Sequence, residues 1–88
     1  MITGTGSGGA HILVVDDDED ILRLLSMRLR ARGFRVSTAA SAEEGLARIA
    51  VDPPRAVVSD VRLPGRDGLA LFEEIRRTRP TLPVILLT

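Results

Sequence analysis

Residues 11–20 read HILVVDDDED. Four apolar residues, Ile12 to Val15, run directly into five consecutive carboxylates. An apolar run this short and this continuous suits a strand covered on both faces, as a central strand of a parallel sheet is. His11 leads into it. A lone histidine ahead of a strand reads as a surface residue without a function.

Working outward, Glu19 to Arg32 reads as a helix. Ile21, Leu22, Leu25 and Leu29 share one face, acids open it and arginines close it in keeping with the helix dipole, and Gly33 is the stop. Leu24 and Met27 lie off that face. FRVSTA, residues 34–39, alternates like an edge or half-exposed strand. Ser41 and Glu44 fit a capping box that opens a short helix to about Ala50, burying Ala42, Leu46 and Ile49, and Asp52-Pro53-Pro54 ends it. AVVS, residues 56–59, is a further buried strand closed by Asp60. VRLPGRDG, residues 61–68, is a loop, and Leu69 to Arg79 a third helix with Leu71, Phe72 and Ile75 on one face. PVILLT, residues 83–88, is a final apolar strand. The order β-α-β-α-β-α-β predicts an α/β fold with a doubly wound parallel sheet, right-handed crossovers and helices on both faces. No internal repeat or second domain is visible. MITGTGSGGA, residues 1–10, reads as a flexible leader or expression remnant, leaving 11–88 as the folded part.

Eighty-eight residues make one domain with a thin core, since a chain this small buries only ~60% of its unfolded surface. Two Phe and no Tyr or Trp leave the core to aliphatic residues and offer little for stacking on nucleic-acid bases. Twelve basic and twelve acidic residues cancel, so no overall field recommends nucleic acid or an anionic membrane as partner. Every basic residue is Arg; the chain has no Lys. The absence of cysteine rules out disulfide and thiolate chemistry and agrees with a cytoplasmic setting. No apolar run approaches the ~18 to 20 residues that span a bilayer.

In an open parallel sheet, ligands gather beyond the carboxyl ends of the strands. Asp16 and Asp17 follow the first strand and Asp60 closes the third, so neighbouring strands would bring three carboxylates together. Such a cluster repels itself unless a cation sits in it, and Mg²⁺, a hard cation bound by one or two carboxylates with water, suits it best. Asp18, Glu19 and Asp20 are better explained as caps of the first helix. Asp60 has no helix start to serve.

ILVVDDDEDILRLL (12–25), VVSDVRLPGRDGLALFEEIR (57–76) and PVILLT (83–88) resemble, in order and spacing, the receiver domain of two-component response regulators. The resemblance implies a flavodoxin-like sheet of strand order 2-1-3-4-5. It also implies that Asp60 accepts a phosphoryl group from a sensor histidine kinase, that Asp17 ligates Mg²⁺ directly, and that Asp16 holds metal-bound water. The backbone carbonyl of Arg62 matches a third protein ligand. Thr88 matches the hydroxyl that senses the phosphoryl group. Pro64, Gly65 and Gly68 match the loop that shapes the site, and Leu63 stands where the family usually has Met. The second and third phrases are similar to receivers of sigma-54-dependent activators, which implies a transcriptional output with no direct nucleic-acid contact by this segment.

The family's fourth helix, Lys-bearing fifth strand and fifth helix find no match here, so the chain reads as truncated after the fourth strand. Two expectations follow: self-association through an apolar edge uncovered on both sides, and weak phosphorylation. Two rival readings stand beside the signalling switch. One is a degenerate receiver that serves only as a dimerisation or docking module. The other is a Mg²⁺-dependent hydrolase of haloacid-dehalogenase type using the D-x-D of Asp16 and Asp18.

Overall fold

A computed structural model describes residues 9–63 and 68–87. Thr88, Pro64, Gly65 and most of the 1–10 leader lie outside the described residues. The elements are β1 (His11–Val15), α1 (Glu19–Ala31), β2 (Arg35–Ala39), α2 (Ala42–Val51), β3 (Ala56–Asp60), α3 (Gly68–Thr78) and β4 (Val84–Leu87). The four strands form one sheet of order β2-β1-β3-β4, parallel throughout. The predicted architecture and strand order are those observed. Among the described residues no helix is long and apolar enough to cross a membrane.

Local chemistry accounts for the helix ends. Asp18 caps α1 by accepting from the Asp20 and Ile21 amides. At the other end Gly33, with φ of 94°, ends the helix in a Schellman arrangement: its amide donates to Arg30 O and that of Phe34 to Leu29 O. Ser41 Oγ caps α2 through the Glu44 amide at 3.1 Å. The return arm of the expected capping box differs: Glu44 Oε1 takes the Ala40 amide at 2.9 Å, one residue before the cap.

All five residues of β1 are buried, as a central strand requires. Strand alternation divides them. Leu13 and Val15 pack with Ala39, Ala42, Ile49, Val57, Leu71 and Ile75 in the main core beneath α2 and α3. Ile12 and Val14 lie on the opposite face, the side of α1. Gly45 lets α2 approach closely, since a Cβ there would stand 3.2 Å from Val15 Cγ2.

Two expectations need correction. His11 is not a surface residue: it is 6% exposed, enclosed where β1 passes beneath α2. The β4 strand is uncovered on one face, not two. Val84 packs on the main core, whereas Ile85 and Leu87, 54% and 36% exposed, lie on the α1 face. Helix α1 sits over the β1/β2 side and does not reach them.

Leu71 is fully buried, and Leu71→Ala is expected to cost about 2–5 kcal/mol. The exposed control Leu24→Ala should change stability by no more than roughly 0.5 kcal/mol. Urea denaturation followed by circular dichroism measures both.

Candidate functional site

The sheet topology assembles the site. Because β1 and β3 are parallel neighbours, their carboxyl ends emerge together. A carboxylate oxygen from each of Asp16, Asp17 and Asp60 can be chosen so that all three atoms lie within 4.8 Å of one another. The three residues are respectively buried, exposed and intermediate. Sequence reasoning named all three, and the structure brings them together.

Two of the three carboxylates are oriented by the backbone. The Asp16 amide donates to Ala39 O at 3.0 Å, tying the end of β1 to that of β2, and Asp16 Oδ1 accepts the Asp18 amide at 2.9 Å. Asp60 Oδ1 accepts the Arg62 amide at 3.2 Å, leaving Oδ2 without a protein donor among the described residues. Asp17, which is exposed, carries no such tether among the described residues. Asp18, by contrast, is committed to capping α1. This weighs against the D-x-D hydrolase reading, which needs Asp18 in the cluster.

The loop after β3 returns over the strand end. Leu63 packs against the core, and the Gly68 amide donates to Val61 O at 2.6 Å. A Cβ on Gly68 would fall 2.1 Å from Asp60 O and 2.7 Å from Val61 Cα, so any side chain there would displace the strand end that carries Asp60. Ser59, fully buried, was not singled out in the sequence; its Oγ donates to Asp60 O at 2.9 Å and fastens the same turn. A single Ser inside an apolar strand carries no signal that would reveal this role.

No guanidinium lies within 4.0 Å of the three carboxylates among the described residues. Burial, followed by the negative charges of Asp60, Asp17 and Asp18, pushes the Asp16 carboxyl above its ordinary 3.8, against the opposing hydrogen bond from the Asp18 amide. Hard anionic oxygens without a protein counter-charge suit a hard dication such as Mg²⁺. The folded state holds the Asp16 proton more tightly than the unfolded state, so stability falls as pH rises from the unfolded value of 3.8 to the raised folded pKa, and the full cost is present above it. Asp16→Asn keeps the oxygen that accepts the Asp18 amide and removes this charge. Without divalent cations it should raise Tm at neutral pH, and the gain should shrink on acidification and vanish well below pH 3.8, where the carboxyl is protonated in both states; calorimetry across pH tests this.

A family model described as the response regulator receiver domain matches residues 12–88. The chain is 46% identical over 79 residues to the transcriptional regulatory protein GlrR of Escherichia coli, covering 90% of this chain and 18% of that protein. With the C4-dicarboxylate transport transcriptional regulatory protein DctD of Rhizobium meliloti it shares 44% identity over 82 residues, 93% of this chain and 18% of DctD. Among solved structures, NtrX from Brucella abortus superposes with a TM-score of 0.85 at 44% identity, over 89% of this chain and 18% of NtrX. A receiver domain protein from Clostridium thermocellum gives 0.85 at 34% identity, over 90% of this chain and 64% of its own. The chain therefore spans less than a fifth of the length of GlrR and of DctD. The match over nearly all the described residues, together with the shared sheet, places the chain in the response regulator receiver domain family.

Proposed function

We propose that this domain accepts a phosphoryl group on Asp60 with the help of Mg²⁺, taking it from a phosphohistidine on a sensor kinase. The observation that carries this reading is the convergence of Asp16, Asp17 and Asp60 at one end of the sheet, with Asp60 at the strand end. Asp60 is the nucleophile: a carboxylate oxygen attacks phosphorus, the phosphorus–nitrogen bond breaks, and its electron pair stays on the departing imidazole, which is protonated. Held at Oδ1 by the Arg62 amide, the carboxylate is oriented before the donor arrives, so little ordering remains at the moment of reaction.

Asp16, Asp17, Asp60 and the Arg62 carbonyl are the groups that would hold the metal. Bound there, Mg²⁺ supplies positive charge between an anionic nucleophile and an anionic phosphoryl group. The chain's own part is to keep the carboxylates close and pointed outward, through Ala39 O, Ser59 Oγ and the Gly68 crossing. Thr88 is the proposed sensor of the phosphoryl group, and Pro64 and Gly65 complete the proposed loop. The output, by likeness to GlrR and DctD, is control of transcription by parts of a longer regulator. The segments proposed are a leader over 1–10 and a receiver unit from 11 onward, acting in the cytoplasm.

Mg²⁺ should raise Tm, by an amount equivalent to about 2.7 kcal/mol at a hundredfold excess over Kd, and Asp17→Asn should abolish the rise. Incubation with acetyl phosphate and Mg²⁺ should yield a hydroxylamine-sensitive phosphoprotein that Asp60→Asn cannot form, as read by intact-protein mass spectrometry. Mg²⁺-dependent stabilisation without phosphoprotein would overturn phosphoryl acceptance and leave a metal-binding docking module.

A further inference from the structure

The β2 edge of the sheet has features that the phosphoryl site does not use. In a parallel ladder alternate residues of a strand point toward a given neighbour. Arg35 donates to Ala10 O and Ala39 accepts from the Asp16 amide, so Arg35, Ser37 and Ala39 face β1. Val36 and Thr38 consequently turn their backbone groups outward. Val36 O is met by the Arg30 guanidinium at 3.2 Å. The Val36 amide and both backbone groups of Thr38 have no partner among the described residues.

A groove flanks this edge on each face of the sheet. On the α1 side Leu22, Ser26, Met27, Arg30 and Thr38 line about 630 Å³. On the α2 side His11, Ser37, Arg48 and Val51 line about 370 Å³. One residue lining each groove carries a buried polar atom without a hydrogen-bond partner among the described residues: Ser26 Oγ in the first, His11 Nδ1 in the second. Both residues are more than nine-tenths buried. The Nε2 atom of His11 is bound to Ser37 Oγ at 2.6 Å, while Nδ1 stands 3.8 Å from Asp52 Oδ2, too far for a hydrogen bond. Orphaned buried polar atoms are rare in folded proteins and call for an explanation.

We propose that the outer edge of β2 is a strand-addition site for an extended peptide segment carrying an acidic side chain. A strand placed there would bond to the free backbone groups of Val36 and Thr38. Its alternate side chains would enter the two grooves, which is how strand addition acquires specificity. Charge selects the occupant. In the α1 groove Arg23 is already paired with Glu19 and Asp20, whereas Arg30 meets only a backbone carbonyl among the described residues, so an acidic residue belongs on that face. On the α2 side Glu44 already pairs with Arg48, so an uncharged polar residue belongs on that face. On β4 the exposed side chains of Ile85 and Leu87 are apolar.

The probe is the blocked hexapeptide Val-Thr-Glu-Thr-Val-Thr, which puts Val and Glu on one face and hydroxyls on the other, titrated into the ¹⁵N-labelled chain. The expected result is saturable shifts, with slowed amide exchange, at Val36 and Thr38. Affinity should fall roughly two- to fivefold in Arg30→Gln, the scale of an exposed ion pair, and at least as far when Lys replaces Glu in the peptide. Arg30 is exposed and Gln keeps helix propensity, so a dispersed spectrum is retained. Three outcomes overturn the proposal: no shift at Val36 and Thr38 at millimolar peptide; shifts confined to Val84–Leu87; or concentration-dependent shifts at Val36 and Thr38 without peptide, which would make a second copy the occupant. Equal binding of the Lys peptide would overturn the acidic requirement.

Discussion

Like charges brought together at the end of a parallel sheet are the constraint on which the site depends. The register of β1 against β3 brings the strand ends that carry Asp16, Asp17 and Asp60 side by side, and burial of Asp16 denies it full hydration. The fold sustains the arrangement by spending backbone hydrogen bonds on it. The Asp18 and Arg62 amides each hold a carboxylate oxygen, the Asp16 amide reaches across to Ala39 O, and Ser59 Oγ secures the carbonyl of Asp60. An acidic cluster maintained in this way is organised for a dication, and a protein without one carries the repulsion as lost stability.

Charge is also distributed along the whole molecule. Helices α1 and α2 open with acids and close with arginines, and α3 also ends in arginines. Because helices run antiparallel to the strands they connect, the acids collect at the carboxyl end of the sheet and the arginines at the other. A net charge of zero thus conceals two ends of opposite sign. The arrangement stabilises each helix through its dipole and sets the acidic end of the sheet apart from the edge where Arg30 meets Val36 O.

Much of this was legible along the chain. The apolar run of β1, the Gly33 stop, the Ser41 cap and the Pro pair at 53–54 are local signals whose physics acts within a few residues, and the elements fall where they indicate. The acidic site was legible because its residues stand at strand ends, where a parallel sheet gathers them. His11 was misread since burial is not local: the ring is enclosed by α2 and Ser37, which lie far along the chain. The face of β4 that α1 leaves bare depends likewise on where a helix comes to rest over the sheet.

The sequence by itself determined the elements, their order, the capping of α1 and α2 and the three carboxylates, because helix propensity, turn chemistry and hydrophobic periodicity are written in neighbouring residues. Tertiary structure alone decided that a side chain at position 68 would collide with Asp60 O, that Ser59 braces the strand end, and that Ser26 Oγ and His11 Nδ1 are left without a partner among the described residues. Those facts depend on distances between segments that only packing brings together.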